Sequence, residues 1–150
     1  RLVTDAVRRL AGAVVATNPQ TPVRVVLMNT AGNRNRDLEE PISIGQRLVV
    51  GLLRLLVPPH ADNEQAADYL RTEFGQAHAK IAWVAVRPDT LTDAAAVTTY
   101  ALHPSPTRSA IFDAGSTSRI NVAHFMAELL TDAETWRRWQ GQMPVIYNQP

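Results

Sequence analysis

The chain contains no cysteine, so disulfides, thiolate metal sites and cysteine nucleophiles are excluded outright. It has a single lysine, Lys80; the other fourteen of its fifteen basic residues are arginine, which removes nearly every candidate for a catalytic lysine. Long hydrophobic runs are missing as well. The longest, residues 48–57, is interrupted by Gly51 and Arg54 and falls far short of a membrane span. No block of one charge sign occurs and the net charge is +1, so neither nucleic acid nor a membrane surface is expected as a partner. The seven glycines, at positions 12, 32, 45, 51, 75, 115 and 141, nowhere show the spacing G-x-G-x-x-G. A turn of that kind, whose backbone N–H groups come close to a phosphate, is therefore not in this sequence.

What is present reads as one globular domain: 150 residues, 45% hydrophobic and 19% charged. The cytoplasm is the expected compartment. The chain opens on Arg1, inside a helical pattern, and a fragment of a longer protein is the expected explanation. Val3, Val7, Leu10 and Val14 recur at helical spacing and predict a helix with that face inward. Asn18-Pro19-Gln20-Thr21-Pro22 ends it. Val23–Met28 is a nearly unbroken apolar run, which suits a strand buried on both faces of a parallel sheet. Residues 29–41 are polar and predict a long loop. A helix over 43–57 follows, stopped by Pro58-Pro59; its apolar residues cover most of its circumference, as in a buried helix or an oligomer contact.

A second helix is predicted over 61–76, with Ala66, Ala67, Leu70 and Phe74 inward, and a second buried strand over 81–86, ending at Pro88. Residues 97–102 and 109–112 read as two short strands of a hairpin. Val122, Phe125, Met126, Leu129 and Leu130 mark an amphipathic helix, with Asn121 as its cap. Trp136 and Trp139 belong to a short helix that packs on the body, and residues 144–147 to a last strand. The alternation of helix and buried strand points to an α/β fold with a parallel sheet flanked by helices.

The two buried strands each end in a polar cluster: Asn29-Thr30-Ala31-Gly32 after the first and Arg87-Pro88-Asp89-Thr90 after the second. In parallel α/β sheets ligands bind beyond the carboxyl ends of the strands, so two such tips predict two walls of one site. His60 and Glu64, one helical turn apart, are candidate catalytic residues; the alternative is an exposed pair at a helix N-terminus, where acidic groups favour the dipole. Their spacing suits a metal, but no third ligand is evident and no metal is expected. Asn29 and Thr30 are candidates for ligand hydrogen bonds or, equally, for capping their own loop. Pro88 fixes the backbone and stops the strand. Arg34 and Arg36 are candidates for an anionic group, against a solvated loop.

The succession Val25-Val26-Leu27-Met28-Asn29-Thr30-Ala31-Gly32, Asp62-Asn63-Glu64-Gln65-Ala66-Ala67-Asp68-Tyr69-Leu70, Trp83-Val84-Ala85-Val86-Arg87-Pro88 and Ser118-Arg119-Ile120-Asn121-Val122-Ala123 resembles atypical short-chain dehydrogenases/reductases with an NmrA-like, NAD(P)H-binding Rossmann domain. The resemblance spans nearly the whole chain and corresponds to the C-terminal portion of one such domain, lacking the Gly-rich first half. It implies NADP or NAD as cofactor and a small carbonyl or alkene substrate. It also implies Asn29, Thr30, Ala31, Arg87, Pro88, Asp89 and Thr90 as cofactor-binding residues, with His60 and Glu64 beside the nicotinamide or substrate. His103 and Arg108 fall where members of the family vary their substrate pocket. The Tyr-x-x-x-Lys pair by which typical members move a proton is missing, since Glu73 and Pro104 stand four residues after Tyr69 and Tyr100. A non-catalytic NAD(P)(H) sensor is therefore a second expectation, and a homo-oligomer through the helix at 48–57 a third.

Overall fold

The computed structural model describes residues 1–38, 40 and 58–149, with residues 58–60 described for the backbone alone. In chain order the elements are α1 (Leu2–Ala16), β1 (Val23–Met28), α2 (Pro58–Tyr69) continued by a π-helical turn (Leu70–Phe74), β2 (Ile81–Pro88), β3 (Thr90–Thr92), β4 (Tyr100–His103), β5 (Ser116–Ser118), α3 (Arg119–Thr131), α4 (Ala133–Trp139) and β6 (Val145–Asn148). The main sheet has the order β1-β2-β6-β4. β1 and β6 both run parallel to β2, and β4 is antiparallel to β6. A second, two-stranded parallel sheet joins β3 to β5.

Strand β2 is the spine. Successive side chains of a strand face opposite sides of the sheet, and here both sides are covered. Val84 and Val86 pack on one face with Val122, Phe125 and Leu129 of α3, Trp136 and Trp139 of α4, and Ile146. Trp83 and Ala85 pack on the other with Ala67, Leu70 and Met143, flanked by Val7 of α1 and Val25 and Leu27 of β1. The Trp83 indole N–H also donates to the Gly75 carbonyl at 2.6 Å, and Gly75 itself sits at φ 55°, where glycine closes the turn without strain. The fold is thus α/β, a mostly parallel sheet with helices on both faces.

Several sequence expectations need correction. β1 lies at the sheet edge and is half exposed, where burial on both faces was expected. Leu10 of α1 is 58% exposed; the helix instead buries Thr4 and Ala11. Pro58-Pro59 open α2, as proline at a first helical position can, because the missing N–H has no intrahelical partner there. The hairpin over 97–102 and 109–112 does not form: β4 pairs with β6, and residues 109–112 are turns. Asn121 is not the cap of α3. The Ser118 hydroxyl takes that place by accepting from the Asn121 N–H, and the buried Asn121 amide donates to Thr98 Oγ1 at 2.9 Å and Asn148 Oδ1 at 2.8 Å. The helix expected over 43–57, with its oligomer contact at 48–57, lies outside the described residues.

Candidate functional site

The parallel pairing of β1 with β2 sets Met28 opposite Val86, so both strands end at the same level. The two polar tips are then joined by backbone hydrogen bonds: the Asn29 N–H donates to the Val86 carbonyl at 2.7 Å and the Ala31 N–H to the Pro88 carbonyl at 2.8 Å. The structure therefore brings together the two clusters that the sequence set apart by more than fifty residues.

Most side chains of the first tip are engaged by the protein. The Asn29 amide donates to the Asn63 carbonyl at 3.0 Å, and its Oδ1 accepts from the Thr30 N–H at 2.8 Å and from the Asn33 amide. This is loop capping of the kind Asn favours. Thr30 Oγ1 accepts from the Gly32 N–H at 3.3 Å, and its own proton has no acceptor among the described residues. Ala31 is buried against Val145 and Tyr147.

Arg87 of the second tip is fully buried. Its Nε donates to the Met143 carbonyl at 2.6 Å, Nη1 to the Asn33 carbonyl and Glu40 Oε2, and Nη2 to Glu40 Oε1 at 2.8 Å and the Pro104 carbonyl at 3.0 Å. A guanidinium has five N–H donors, and all are occupied. The residue ties the end of β2 to the loop after β1, to residue 104 and to the approach to β6. Pro88 ends the strand, and Asp89 holds two amides, Thr90 N–H at 2.8 Å and Gly115 N–H at 2.9 Å. Thr90 is exposed and begins β3.

Helix α2 reaches the first tip through the Asn63 carbonyl, which brings the helix start beside Asn29. Glu64 is buried and lies 3.5 Å from Arg36, which also contacts Asp68 at 3.1 Å. His60 lies in the first turn of the same helix, but its side chain is outside the description. Among the described residues no group of three His, Asp or Glu side chains is placed to hold a metal.

A cleft of about 390 Å³ opens beside the tips, between residues 31–34 with Glu40 on one wall and residues 106–109 with Asp113 on the other. Arg108 and Asp113 pair across its rim at 2.7 Å. Their hydrogen bond is the main reason that the Asp113 carboxyl titrates below, and Arg108 above, its ordinary range. Behind the cleft, Tyr147 is buried, and its hydroxyl has no hydrogen-bond partner among the described residues. Burial first, and the charge of Asp89 second, push its pKa up; the backbone of Thr107 and Arg108 and the Thr107 side chain oppose the rise.

Sequence reasoning missed Glu40, Asn33, Asp113, Gly115 and Tyr147. Glu40 is 47 residues from its partner Arg87, and no local spacing marks such a pair. Gly115 carried a faint signal, a glycine just before β5.

Comparison with known proteins adds the following. A family model described as NAD(P)H-binding matches residues 4–133. No curated protein matches the chain. Among solved structures, a short-chain dehydrogenase/reductase from Veillonella parvula DSM 2008 superposes with a TM-score of 0.65 at 16% identity, over 97% of this chain and 58% of that one. A second structure from the same organism, described as a complex with NADP, gives 0.62 at 17% identity, over 97% of this chain and 57% of that one. ChuY, an anaerobillin reductase from Escherichia coli O157:H7, gives 0.55 at 18% identity, over 85% and 52% respectively. The chain thus spans just over half the length of each of these three structures. At such identities the likeness is one of fold, and the fold is Rossmann-like.

Proposed function

The chain belongs to the NAD(P)H-binding family, and on that premise we propose that it forms the nicotinamide and substrate end of an NAD(P)-dependent oxidoreductase-like protein of the NmrA-like type. It would be the C-terminal portion of a single Rossmann-like domain, acting in the cytoplasm on a small-molecule substrate. The intact protein would move hydride between nicotinamide C4 and a small carbonyl or alkene. The observation that carries the proposal is the pairing of the two strand tips, joined from Ala31 N–H to Pro88 carbonyl at the carboxyl ends of two parallel strands. The absence of a Gly-rich turn, and an edge of β1 with no partner strand among the described residues, support the portion reading.

The tips fit a nicotinamide nucleotide through a small set of groups. The Thr30 hydroxyl proton has no acceptor among the described residues and Thr90 is exposed, so both are available to a ribose hydroxyl or carboxamide. Ala31 and Pro88 give the apolar floor, and Asn29, Arg87 and Asp89 hold that floor in shape through their bonds to backbone. The cofactor, NADP or NAD, supplies the hydride chemistry; the residues orient it. His60 and Glu64 are the candidate proton-handling pair, on the helix whose Asn63 carbonyl is bonded to the first tip.

The test is a titration of the intact protein with NADPH and NADH, followed by a panel of carbonyl and alkene substrates. Saturable binding with turnover is the expected result, and failure to bind either nucleotide would end the proposal. Thr30→Val and Thr90→Val should each weaken binding severalfold. The present 150-residue chain, without a phosphate-holding turn, should bind only weakly, and a tight stoichiometric complex would contradict the portion reading.

A second reading, a non-catalytic NAD(P)(H) sensor, is favoured by the absence of a Tyr-x-x-x-Lys pair and by the commitment of the Asn29 and Arg87 side chains to the protein. It gives saturable binding with no turnover on any substrate of the panel.

A further inference from the structure

The cleft beside the tips has an unbalanced lining. Among the described residues that line it, each carboxylate is matched by an arginine: Glu40 by the buried Arg87, and Asp113 by Arg108. Arg34 is left over. It lines the cleft, makes no ion pair among the described residues, and its Nε is buried without an acceptor. A buried charged donor with no acceptor is costly, and a ligand oxygen carrying negative charge would remove that cost. The next residue back has the opposite deficit. Asn33 is 1% exposed and also lines the cleft; its amide nitrogen is committed to Asn29, and its Oδ1 has no donor among the described residues.

We infer that the cleft binds a small molecule carrying an oxyanion, carboxylate or phosphate, beside a hydroxyl group. Arg34 Nε–H donates to the oxyanion, and the hydroxyl donates to Asn33 Oδ1. Arg108 stays with Asp113 at the rim, so its charge is already taken. The Asn33 carbonyl is bonded to Arg87, so the acceptor side of the site is anchored to the second strand tip. As a binding site the cleft stands by itself. As the seat of a redox substrate it rests on the reading of the tips as the nicotinamide end.

The experiment is an NMR titration of the 150-residue chain with lactate, acetate and glycerol phosphate, following the Arg34 Hε resonance and the backbone amides of Gly32 and Thr107. Lactate or glycerol phosphate should shift the Arg34 Hε signal saturably, and Arg34→Gln should lower the affinity about tenfold or more. Arg34 makes no bond within the described residues, so the variant should keep the spectrum of the parent elsewhere. The tighter of the two hydroxylated probes identifies the oxyanion. No saturable shift with either probe, or equal affinity in Arg34→Gln, would overturn the site. Acetate binding as tightly as lactate would overturn the role of Asn33. A titration of the intact protein with NADPH that leaves the Thr30 and Asp89 amides unmoved would sink the nicotinamide reading instead, and leave the oxyanion site standing.

Discussion

Arg87 Nη2 lies 2.8 Å from Glu40 Oε1, with both side chains buried, and Nη1 closes a second bond to Glu40 Oε2 at 3.2 Å. A fork of this geometry is among the stronger charge-assisted pairs, but its value lies in what happens when one partner is removed. Glu40→Ala leaves a buried guanidinium uncompensated and is expected to cost about 3–5 kcal/mol of stability. The double variant Glu40→Leu/Arg87→Met should lose less than either single change, because no charge is stranded. Urea denaturation of the parent, Glu40→Leu, Arg87→Met and the double variant, with Glu40→Ala alongside, measures both statements. A loss below about 1 kcal/mol for Glu40→Ala would mean that the pair is not closed in solution.

Gly115 is required for another reason. A Cβ built on it would stand inside any permitted contact with Tyr147 Cδ1. The ring cannot retreat freely, since Tyr147 is buried against Ala31 and Val145. Gly115→Ala should therefore destabilise the chain by about 1–3 kcal/mol, the usual cost of overpacking. It should also move the Tyr147 ring, read as a change in its aromatic proton shifts. Gly12 has nothing within 4 Å of such a Cβ and lies in the interior of α1, so Gly12→Ala should instead stabilise by about 0.5–1 kcal/mol.

Local pattern carried much of this architecture and little of its wiring. Val23–Met28 and the apolar core of β2 announce themselves as strands by their unbroken apolar runs, although only β2 is buried on both faces, and Val122, Phe125 and Leu129 announce a helix because it repeats every 3.6 residues. The two polar tips were legible for the same reason, as the points where those runs stop. Pairing partners were not. Residues 97–102 and 109–112 look like a hairpin by proximity, yet Tyr100–His103 finds β6, with Leu102 opposite Ile146. Capping shows the same limit: Asn121 and Ser118 are both good cap residues, and only the fold decides that Asn121 is drawn away to Thr98 and Asn148. The oxyanion cleft was half visible, since Arg34 was noticed as a loop cation, but its surplus is evident only once Glu40 and Asp113 are seen to be taken.

Asp62 gives the fold an acid-sensitive joint. Its carboxylate, on α2, accepts the Val3 N–H at 2.9 Å, the Thr4 N–H at 3.0 Å and the Thr4 hydroxyl at 2.6 Å, and so caps the free first turn of α1. These bonds, the Thr4 hydroxyl first, hold its pKa below the ordinary 3.8, against the opposing effect of burial. A carboxyl with a folded pKa below its unfolded value contributes fully above the unfolded value and loses that contribution as pH falls through the folded one. The docking of α1 on α2 should therefore weaken below about pH 4. Asp62→Asn should lower stability at neutral pH and flatten the acid limb of a plot of urea midpoint against pH. An acid limb identical in the two proteins would show that other carboxyls set it.

The open edge of β1 leads to the last expectation. The Val23 N–H bonds to the Lys80 carbonyl and the Asn29 N–H to the Val86 carbonyl, so in the parallel ladder the odd-numbered residues between them face β2. Arg24, Val26 and Met28 then turn their N–H and C=O groups outward, with no partner strand among the described residues. Val23 and Met28 are 38% and 49% exposed beside this edge, and Leu130 of α3 adds a further 52% exposed apolar side chain. An apolar strand with one free ladder is a template for another strand, and a charge placed on it is the usual protection. The isolated 150-residue chain should consequently associate as its concentration rises, and Met28→Lys or Val23→Lys should reduce that association without loss of fold. Sedimentation velocity across a concentration series, with circular dichroism as the fold control, reads both. Association that persists unchanged in both lysine variants would place the contact elsewhere. In an intact protein that supplies a neighbouring strand, the same substitutions should lower stability instead, because the edge would then lie inside a sheet.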